Sequence, residues 1–393
     1  MNKIKDFFKY PMLVIFSLFI MVLFIFDIAK PDKEYSDNEK LKQFPKFTME
    51  RLFKNEFTLE YEEYLNDQFI FRSNWIDLKS VSEMVLGKIE NNGVAYGKDD
   101  YLFSKKTSSD NKRIKNNNKF INDYIKTSKN HITFGIIPNS YAIMDELLPM
   151  GMEYININQK ELIDNIYSNI NGENLTKLDI YSVMEQNKDK SQIYYKTDHH
   201  WTTLGAYNVY KEYMKSLNLE YVELSELEEY MGVVDNFLGT YYSKTKNFNV
   251  VPDQILYYDV PVTDVTIEGK RTIKDRHKND VTIDNLYMES MFYEYDKYAA
   301  FLYGNNGLTI IKSDNNKNHV DGKTSRILLF KDSYSNCFVP FLTYSFDEIY
   351  VVDLRSYTPD TAKEVKKVRF DETLIMYNFE SYQSETNFPR IKL

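Results

Sequence analysis

Two of the five histidines in this 393-residue chain are adjacent, in the run Asp198-His199-His200-Trp201. In an extended segment Asp198 and His200 point to the same side, because strand side chains alternate with a period of two residues. If the chain bends there, the carboxylate can hydrogen-bond the imidazole, orient it and stabilise its charged form, as the acid of a catalytic triad does. His200 could then take a proton from a nucleophile as a general base.

Two other interpretations of this run stay open. Asp198, His199 and His200 all carry metal-ligand atoms, although adjacent histidines point in opposite directions on a strand and chelate one ion poorly. The same side chains can also form a structural hydrogen-bonded cluster under Trp201.

A nucleophile candidate, Ser333, lies far along the chain in Lys331-Asp332-Ser333-Tyr334. This segment directly follows an apolar run and precedes residues that can begin a helix. A serine at such a turn projects from the carboxyl end of a parallel sheet, where open α/β sheets bind ligands. Backbone N–H groups at the helix start can hold a developing oxyanion. The alternative interpretation is an ordinary Asp/Ser helix cap.

Alternating elements must position these residues. Apolar runs with the length of buried strands occur at 132–137, 326–330, 349–353 and 374–377. Helices are predicted near 120–129 and 159–170, a hairpin at 96–103, and a surface loop over the Lys-, Asn- and Ser-rich segment 104–119. This alternation predicts an α/β fold with a mainly parallel sheet flanked by helices.

The composition suggests three parts. Residues 1–30 form a short cytoplasmic stub and a signal-anchor helix, residues 31–95 a polar linker and helical lead-in, and residues 96–393 one α/β domain. Within that domain, the Tyr-rich segment from about 221 to 312 has many alternating patches and few helical ones. It is predicted to be a β-rich elaboration.

The N-terminal region predicts a transmembrane helix. Three lysines within the first nine residues precede an apolar run from Met12 to Phe26. A helix from Tyr10 to Ile28 spans roughly 28 Å, close to the thickness of the hydrocarbon core. No A-x-A-like site follows, which favours an uncleaved signal anchor over a cleaved signal peptide. A buried core helix is the third interpretation. The basic flank predicts that the chain beyond Lys30 is extracytoplasmic.

Charge and cysteine content exclude some classes of function. The net charge is −9 and the pI is about 5.3, so a nucleic-acid partner is not expected. The single cysteine, Cys337, excludes an intramolecular disulfide and a Cys-based zinc cluster.

Several separated motifs resemble the bacterial DHHW protein family, which is named for the four residues at 198–201. The resemblance covers nearly the whole exported part and keeps the order of the family's motifs. The motifs are Asn66-Asp67-Gln68-Phe69-Ile70-Phe71-Arg72, Tyr96-Gly97-Lys98, Trp201-Thr202-Thr203-Leu204-Gly205-Ala206, Lys331-Asp332-Ser333-Tyr334 and Val352-Asp353-Leu354-Arg355. The DHHW family is similar to the AlgX/AlgJ group of polysaccharide O-acetyltransferases, which have an SGNH-hydrolase-like fold.

The resemblance implies roles for three residues. The acid and base of the Asp-x-His pattern in the AlgX-like group map to Asp198 and His200, and His199 takes the intervening position. The nucleophile maps to Ser333. SGNH enzymes have a Gly where this chain has Lys331, which is a departure from their pattern.

Four further residues are candidates for oxyanion or substrate contacts. SGNH enzymes supply oxyanion donors from a Gly and an Asn on separate loops, and Gly304-Asn305 is the candidate pair here. Arg355, just after a predicted strand, could contact substrate, with a salt bridge to Asp353 as the alternative. Trp201 suits sugar stacking, with packing as its alternative role.

The resemblance therefore implies a membrane-anchored O-acyltransferase that moves an acyl group, most simply acetyl, through acyl-Ser333 to a cell-surface polysaccharide. Similar systems pair such proteins with a multispanning membrane O-acyltransferase that supplies the acyl group, so a partner of that kind is implied. No cofactor and no metal is expected. Two alternatives stay open: a carbohydrate esterase with the same triad, and a non-catalytic polysaccharide-binding scaffold of a membrane synthesis complex.

Overall fold

The computed structural model describes residues 10–36, 39–247 and 249–392. They form two compact units. One contains the described residues up to Lys88 together with Lys246 and Asn247, and the other contains Ile89–Thr245 and residues 249–392. The predicted cytoplasmic stub at residues 1–9 lies outside the described residues.

The smaller unit begins with a 19-residue helix, Pro11–Ala29, whose first turn carries a proline that suits a helix start. Its mean hydropathy is 2.8 and none of its residues is buried. The helix is long enough and apolar enough to cross a membrane, as the sequence predicts. The core-helix interpretation is wrong, because a core helix would be covered by other elements.

Three helices follow in this unit, at Met49–Phe53, Glu56–Gln68 and Arg72–Val85, after a short hairpin of Tyr35–Ser36 and Glu39–Lys40. Gln68 is buried at the end of its helix. Its Nε2 donates to the carbonyls of Lys33 and Lys42, and its Oε1 accepts the N–H of Lys33. This motif residue therefore holds the linker against the helices.

The larger unit is built on a seven-stranded sheet. Its strands in chain order are β1 (His131–Ile137), β2 (Leu175–Leu178), β3 (Asp264–Ile267), β4 (Thr309–Lys312), β5 (Arg326–Lys331), β6 (Glu348–Asp353) and β7 (Glu372–Asn378). Their order across the sheet is β3-β4-β6-β5-β7-β1-β2. The five strands from β6 to β2 are parallel, and β3 and β4 form an antiparallel edge.

Strand β5 shows why this sheet needs cover on both faces. Its alternate residues Leu328 and Phe330 join one hydrophobic core, and Ile327 and Leu329 join the other. A strand buried on both faces is a continuous apolar run rather than an alternating one. The predicted mainly parallel sheet flanked by helices is confirmed.

The helices of this unit are Asn111–Thr127, Ser140–Ile143, Gln159–Asn169, Ile180–Asn187, Thr203–Ser216, Thr240–Thr245, Val339–Leu342, Pro359–Val365 and Phe379–Ser384. The predicted loop over 104–119 is wrong, because the first helix begins at Asn111. Its Asn117 is buried and donates to the carbonyls of Tyr382 and Glu385, so a polar residue serves the core there.

The Tyr-rich segment is β-rich, as predicted. Met231–Phe237 pairs with Asp253–Tyr258, and Thr272–Lys274 pairs with Asp280–Thr282. Its two other strands, β3 and β4, extend the central sheet instead of forming a separate layer. Near the start of the unit, the predicted hairpin is present as Val94–Tyr96 and Leu102–Ser104, with Glu90–Asn91 as a third strand.

Candidate active site

Ser333 lies at the carboxyl end of β5, as the sequence predicts. It opens a 3₁₀ helix, Ser333–Cys337, two residues after the last residue of the strand, Lys331. Asp332 fixes this turn, because its Oδ1 accepts the N–H of Tyr334 at 3.0 Å and its Oδ2 accepts the N–H of Asn378 at 2.8 Å. The helix-cap role considered for this segment therefore belongs to Asp332, whereas the Ser333 side chain contacts His200.

Ser333, His200 and Asp198 form a hydrogen-bonded row. Ser333 Oγ lies 2.9 Å from His200 Nε2, and His200 Nδ1 lies 2.6 Å from Asp198 Oδ1. Asp198 Oδ1 also accepts the backbone N–H of His200 at 2.9 Å, so the chain has the bend that contact between residues i and i+2 requires. The carboxylate and the imidazole are buried, and the serine is partly exposed.

The other oxygen of Asp198 is held by a residue that sequence reasoning missed. Oδ2 accepts the backbone N–H of Thr240 at 2.7 Å and its hydroxyl at 3.0 Å. Gly239 precedes it, and a Cβ atom at that position would clash with the Asp198 side chain. The Gly-Thr pair at the start of a short helix was the available signal, since such starts present N–H groups to anions.

Burial and the neighbouring charges set the protonation of the pair. Burial and the charge of His199 lower the pKa of His200 to about 4, against the opposing effect of Asp198. Burial alone would raise the pKa of Asp198, but the charges and hydrogen bonds of the two histidines hold it well below its usual value. At neutral pH the site therefore pairs a carboxylate with a neutral imidazole that can accept a proton at Nε2.

Tyr298 is a second residue that sequence reasoning missed. Its ring stacks on the His200 imidazole, with centroids 3.8 Å apart and planes 12° from parallel. Its hydroxyl lies 3.1 Å from the carbonyl oxygens of both Ser333 and Tyr334 and can donate to either. Tyr298 thus restricts the ring of His200 and can hold the turn at Ser333, and nothing in the sequence distinguishes it from the other tyrosines of its segment.

His199 and Trp201 flank the row without joining it. Nδ1 of His199 lies 2.7 Å from Thr240 Oγ1, and its ring packs on that of His200. Trp201 is fully buried, and its Nε1 donates to the carbonyl of Tyr334 at 2.6 Å. The whole indole of Trp201 lies in the core, where it joins the segments of His200 and Ser333, so its position fits the packing role that was the alternative to a substrate contact.

The metal interpretation has a geometric basis but competes with these bonds. Ligand atoms of Asp198, His199 and His200 lie within 4.8 Å of one another. In the described conformation the imidazole of His200 bonds Asp198 on one side and Ser333 on the other. A metal ion would have to replace these hydrogen bonds, so the arrangement fits the triad better than a chelate.

Lys331 is accommodated where SGNH enzymes have glycine because its side chain runs into a polar cluster. It is fully buried, and Nζ donates to Asn305 Oδ1 at 2.9 Å and Asn336 Oδ1 at 2.5 Å. Asp353 Oδ2 lies 3.8 Å away. Burial lowers the pKa of Lys331 to about 8, although Asp353 opposes this effect.

The two members of the candidate oxyanion pair, Gly304 and Asn305, differ in whether their N–H groups already donate a hydrogen bond. The N–H of Gly304 already donates to the carbonyl of Phe301 at 3.0 Å, so in this conformation it is engaged within its own turn. Gly304 instead closes a turn in which Leu302, Tyr303 and Gly304 all have positive φ. Asn305 turns its Oδ1 toward Lys331, and its Nδ2 has no hydrogen-bond partner among the described residues.

Arg355 forms a bidentate pair with Asp353, which was the alternative considered from the sequence. Nε lies 2.8 Å from Oδ1 and Nη2 lies 2.5 Å from Oδ2. About half of the Arg355 side chain remains exposed. Arg355 follows the carboxyl end of β6, at the same end of the sheet as Ser333, and its charge helps to lower the pKa of His200.

The parallel sheet between two helical layers defines an SGNH-hydrolase-like fold. The chain belongs to the DHHW protein family, whose model matches residues 82–352. A DHHW family protein from Eubacterium siraeum DSM 15702 is 25% identical, with a TM-score of 0.60 over 77% of this chain and 96% of that one. The recognised resemblance is thereby confirmed.

Two other solved structures are similar. PatB1 of Bacillus cereus, determined with a sulfonyl adduct, is 19% identical with a TM-score of 0.58, over 75% of this chain and 97% of its own. The O-acetyltransferase domain of Pseudomonas putida AlgJ is 14% identical with a TM-score of 0.44, over 75% of this chain and 93% of its own. No curated protein matches the chain.

Proposed function

We propose that the protein is a membrane-anchored, extracytoplasmic O-acyltransferase that acylates a cell-surface polysaccharide. The observation that carries this proposal is the row Ser333–His200–Asp198 with its protonation state. A neutral imidazole 2.9 Å from a serine hydroxyl can remove the hydroxyl proton as the oxygen attacks. The ionised Asp198 keeps the proton of His200 on Nδ1 and stabilises the imidazolium that forms.

The reaction has two half-steps. Ser333 Oγ attacks the carbonyl carbon of an acyl ester, its proton passes to His200 Nε2, and the leaving alcohol takes that proton as its bond to the acyl carbon breaks. A sugar hydroxyl then attacks the acyl-Ser333 ester and gives its proton to His200. The proton returns to Ser333 Oγ as the serine leaves, so no proton is gained or lost.

The oxyanion that develops on the acyl carbonyl needs hydrogen-bond donors close to Ser333 Oγ. The backbone N–H of Ser333 has no acceptor among the described residues and lies at the start of its 3₁₀ turn. Asn305 is the proposed second donor, because its Oδ1 is held by Lys331, two residues before Ser333, while its Nδ2 is uncommitted. Arg355 is proposed to contact substrate with the exposed part of its guanidinium.

The membrane anchor is proposed to be the helix Pro11–Ala29, with residues 1–30 as stub and anchor, 31–95 as linker and lead-in, and 96–393 as the catalytic domain. A donor acyl group made inside the cell must then cross the membrane. A multispanning membrane O-acyltransferase is the proposed supplier. The acceptor is a cell-surface polysaccharide.

The test uses purified full-length protein in detergent with a chromogenic acetyl ester and an acceptor oligosaccharide. We expect ester cleavage, acetyl groups on the oligosaccharide and, after acid quench, an acetylated peptide containing Ser333 by mass spectrometry. Acetate release without transfer would identify an esterase. If Ser333→Ala leaves polymer acetylation in cells unchanged, the catalytic proposal fails and the scaffold interpretation replaces it.

A further inference from the structure

The family motif at residues 66–72 is tied to the end of the apolar helix. Asp27, in the last turn of Pro11–Ala29, accepts the backbone N–H of Ile70 at 2.9 Å on its Oδ1. Ile70 is itself buried. The break between the helices Glu56–Gln68 and Arg72–Val85 therefore lies at the level where the apolar helix ends.

The two phenylalanines on either side of Ile70 have exposed side chains. Phe69 is 42% exposed and Phe71 is 60% exposed. Phe71 also has a φ of 57°, a left-handed conformation that bulky side chains rarely adopt. Neither burial within this unit nor backbone preference accounts for a phenylalanine at this position, and such strained residues concentrate at functional sites.

The surroundings of the two rings have the chemistry of a membrane interface. Trp75 is partly exposed and donates from Nε1 to the carbonyl of Ile70 at 3.1 Å. Lys30, whose Nζ lies 3.4 Å from Asp27 Oδ1, and Lys33 line a cavity of about 330 Å³, whose lining also includes Asp67, Phe69, Phe71 and Arg72. Aromatic rings beside lysines are the residues enriched where hydrocarbon meets lipid headgroups.

We propose that Phe69, Phe71 and Trp75 insert into the outer leaflet of the membrane that Pro11–Ala29 spans, with a lipid headgroup phosphate at the lysine-lined cavity. The inference rests on the proposed membrane anchor. The lipid surface is the occupant because the Asp27–Ile70 bond holds these side chains at the end of a helix that must itself lie in lipid. The motif then sets the depth at which the chain leaves the bilayer.

The two tryptophans of the chain allow a direct test. Trp75 is in this segment, whereas Trp201 is fully buried in the larger unit. Full-length protein is reconstituted in phosphatidylcholine–phosphatidylglycerol vesicles whose acyl chains are brominated near the headgroup, and bromine quenches indole emission on contact. We expect quenching of the wild-type protein and none of Trp75→Phe, which retains only Trp201. Equal quenching of both proteins, or of neither, overturns the inference.

Matched variants separate the insertion from other effects. Phe69→Ser with Phe71→Ser should reduce the quenching of Trp75 several-fold, whereas Tyr293→Ser, at a residue 91% exposed in the larger unit, should leave it unchanged. Equal quenching of the Phe69→Ser, Phe71→Ser chain and the wild type contradicts insertion. Quenching that disappears as the protein-to-lipid ratio rises identifies a second copy as the occupant and also contradicts it.

Vesicle flotation and ester cleavage keep this inference distinct from the proposed function. A chain that floats with the vesicles but shows no Trp75 quenching retains its anchor and refutes the insertion. A chain that does not float refutes the anchor, and the insertion with it. Because Phe69 and Phe71 belong to the smaller unit, we expect the double variant to cleave acetyl ester at the wild-type rate in detergent, whatever the vesicles show.

Discussion

The larger unit contains two rows of carboxylate, imidazole and hydroxyl with nearly the same distances. In one, Asp198 and Ser333 flank His200 at 2.6 and 2.9 Å. In the other, at the amino ends of β1 and β7, Glu372 Oε2 lies 2.6 Å from His131 Nδ1, and Thr176 Oγ1 lies 3.0 Å from Nε2.

The two rows differ in the direction in which the pKa of the imidazole is shifted. The hydrogen bond to Glu372 raises the pKa of His131, whose side chain is 36% exposed and therefore only partly desolvated. Burial and the charge of His199 lower the pKa of His200, whose side chain is 7% exposed. The same three groups thus give an imidazole of raised pKa at one end of the sheet and an imidazole of lowered pKa at the other. Hydrogen-bond geometry alone does not identify a catalytic site.

The largest expected difference concerns the two hydroxyls. Ser333→Ala should reduce acyl transfer on the order of 10⁵-fold, because it removes the nucleophile, and Thr176→Val should leave transfer unchanged. Steady-state ester cleavage measures both, with thermal unfolding to confirm that each variant is folded. Residual activity of Ser333→Ala within tenfold of wild type would refute the nucleophile assignment.

Substitution of the two carboxylates should affect kcat differently, by a factor of about 10³–10⁴. Asp198→Asn should lower kcat by that factor, because the amide no longer favours the correct tautomer of His200 or its charged form. Glu372→Gln should leave kcat unchanged and lower the unfolding temperature, since Glu372 also accepts bonds from Thr133 and Tyr213. Equal loss of kcat in both variants would mean that the two rows do not differ in function.

The two imidazoles should respond to pH in opposite ways. Because the pKa of His200 is lowered to about 4, kcat/KM for ester cleavage should stay high through neutral pH and fall as pH drops through about 4. The raised pKa of His131 contributes stability that is fully present below its unfolded pKa of about 6.5 and lost as pH rises through its folded pKa. NMR titration of the histidine C2–H signals checks both; a His200 titration above that of His131 would contradict the comparison.

Tyr298 sharpens the comparison, because its ring stacks on His200. Tyr298→Phe keeps the ring and removes the hydroxyl that holds the Ser333 turn, so kcat should fall about 10-fold with KM unchanged. The control is Tyr287→Phe, which removes another buried hydroxyl, bonded to the carbonyl of Tyr258. A similar fall of kcat in both variants would indicate general loosening of the fold instead.

The smallest expected effect is at His199. Its charge contributes to the low pKa of His200, so His199→Gln should move the acid limb of the kcat/KM profile to higher pH with little change of the plateau. Gln keeps a group that can hydrogen-bond Thr240. A limb that stays in place would show that the charge of His199 does not lower the pKa of His200.

Much of the fold could be predicted from the sequence because it depends on local patterns of apolar and polar residues. Runs such as 327–330 are apolar throughout, and only a strand covered on both faces requires this. The helix that begins at Asn111 was missed because Asn117, whose amide serves two core carbonyls, reads as a loop residue. β3 and β4 were predicted only as part of a β-rich elaboration within the domain, because the pairing of a strand with the central sheet depends on segments distant in sequence.

The candidate site was readable in part. Ser333, His200 and Asp198 have side chains that suit a catalytic triad, and they lie within recognisable sequence motifs. Asp198 and His200 are also close in sequence. Tyr298, Thr240 and Gly239 carry no such signal, because their roles arise only when distant segments meet. Gly304 and Trp201 were assigned by residue type, whereas their hydrogen bonds in the folded chain commit them elsewhere.

The sequence by itself determined the apolar helix, the parallel-sheet class and the three candidate residues Ser333, His200 and Asp198. Only the tertiary structure decided which of two similar imidazole–carboxylate pairs is a base at neutral pH. The physical reason is that desolvation and neighbouring charge set a pKa, and both depend on what the whole chain packs around the group. Asp198 and Glu372 make equally short bonds to their histidines, but the side chain of His200 is 7% exposed and that of His131 is 36% exposed, so burial lowers the pKa of His200 while the bond to Glu372 raises the pKa of His131.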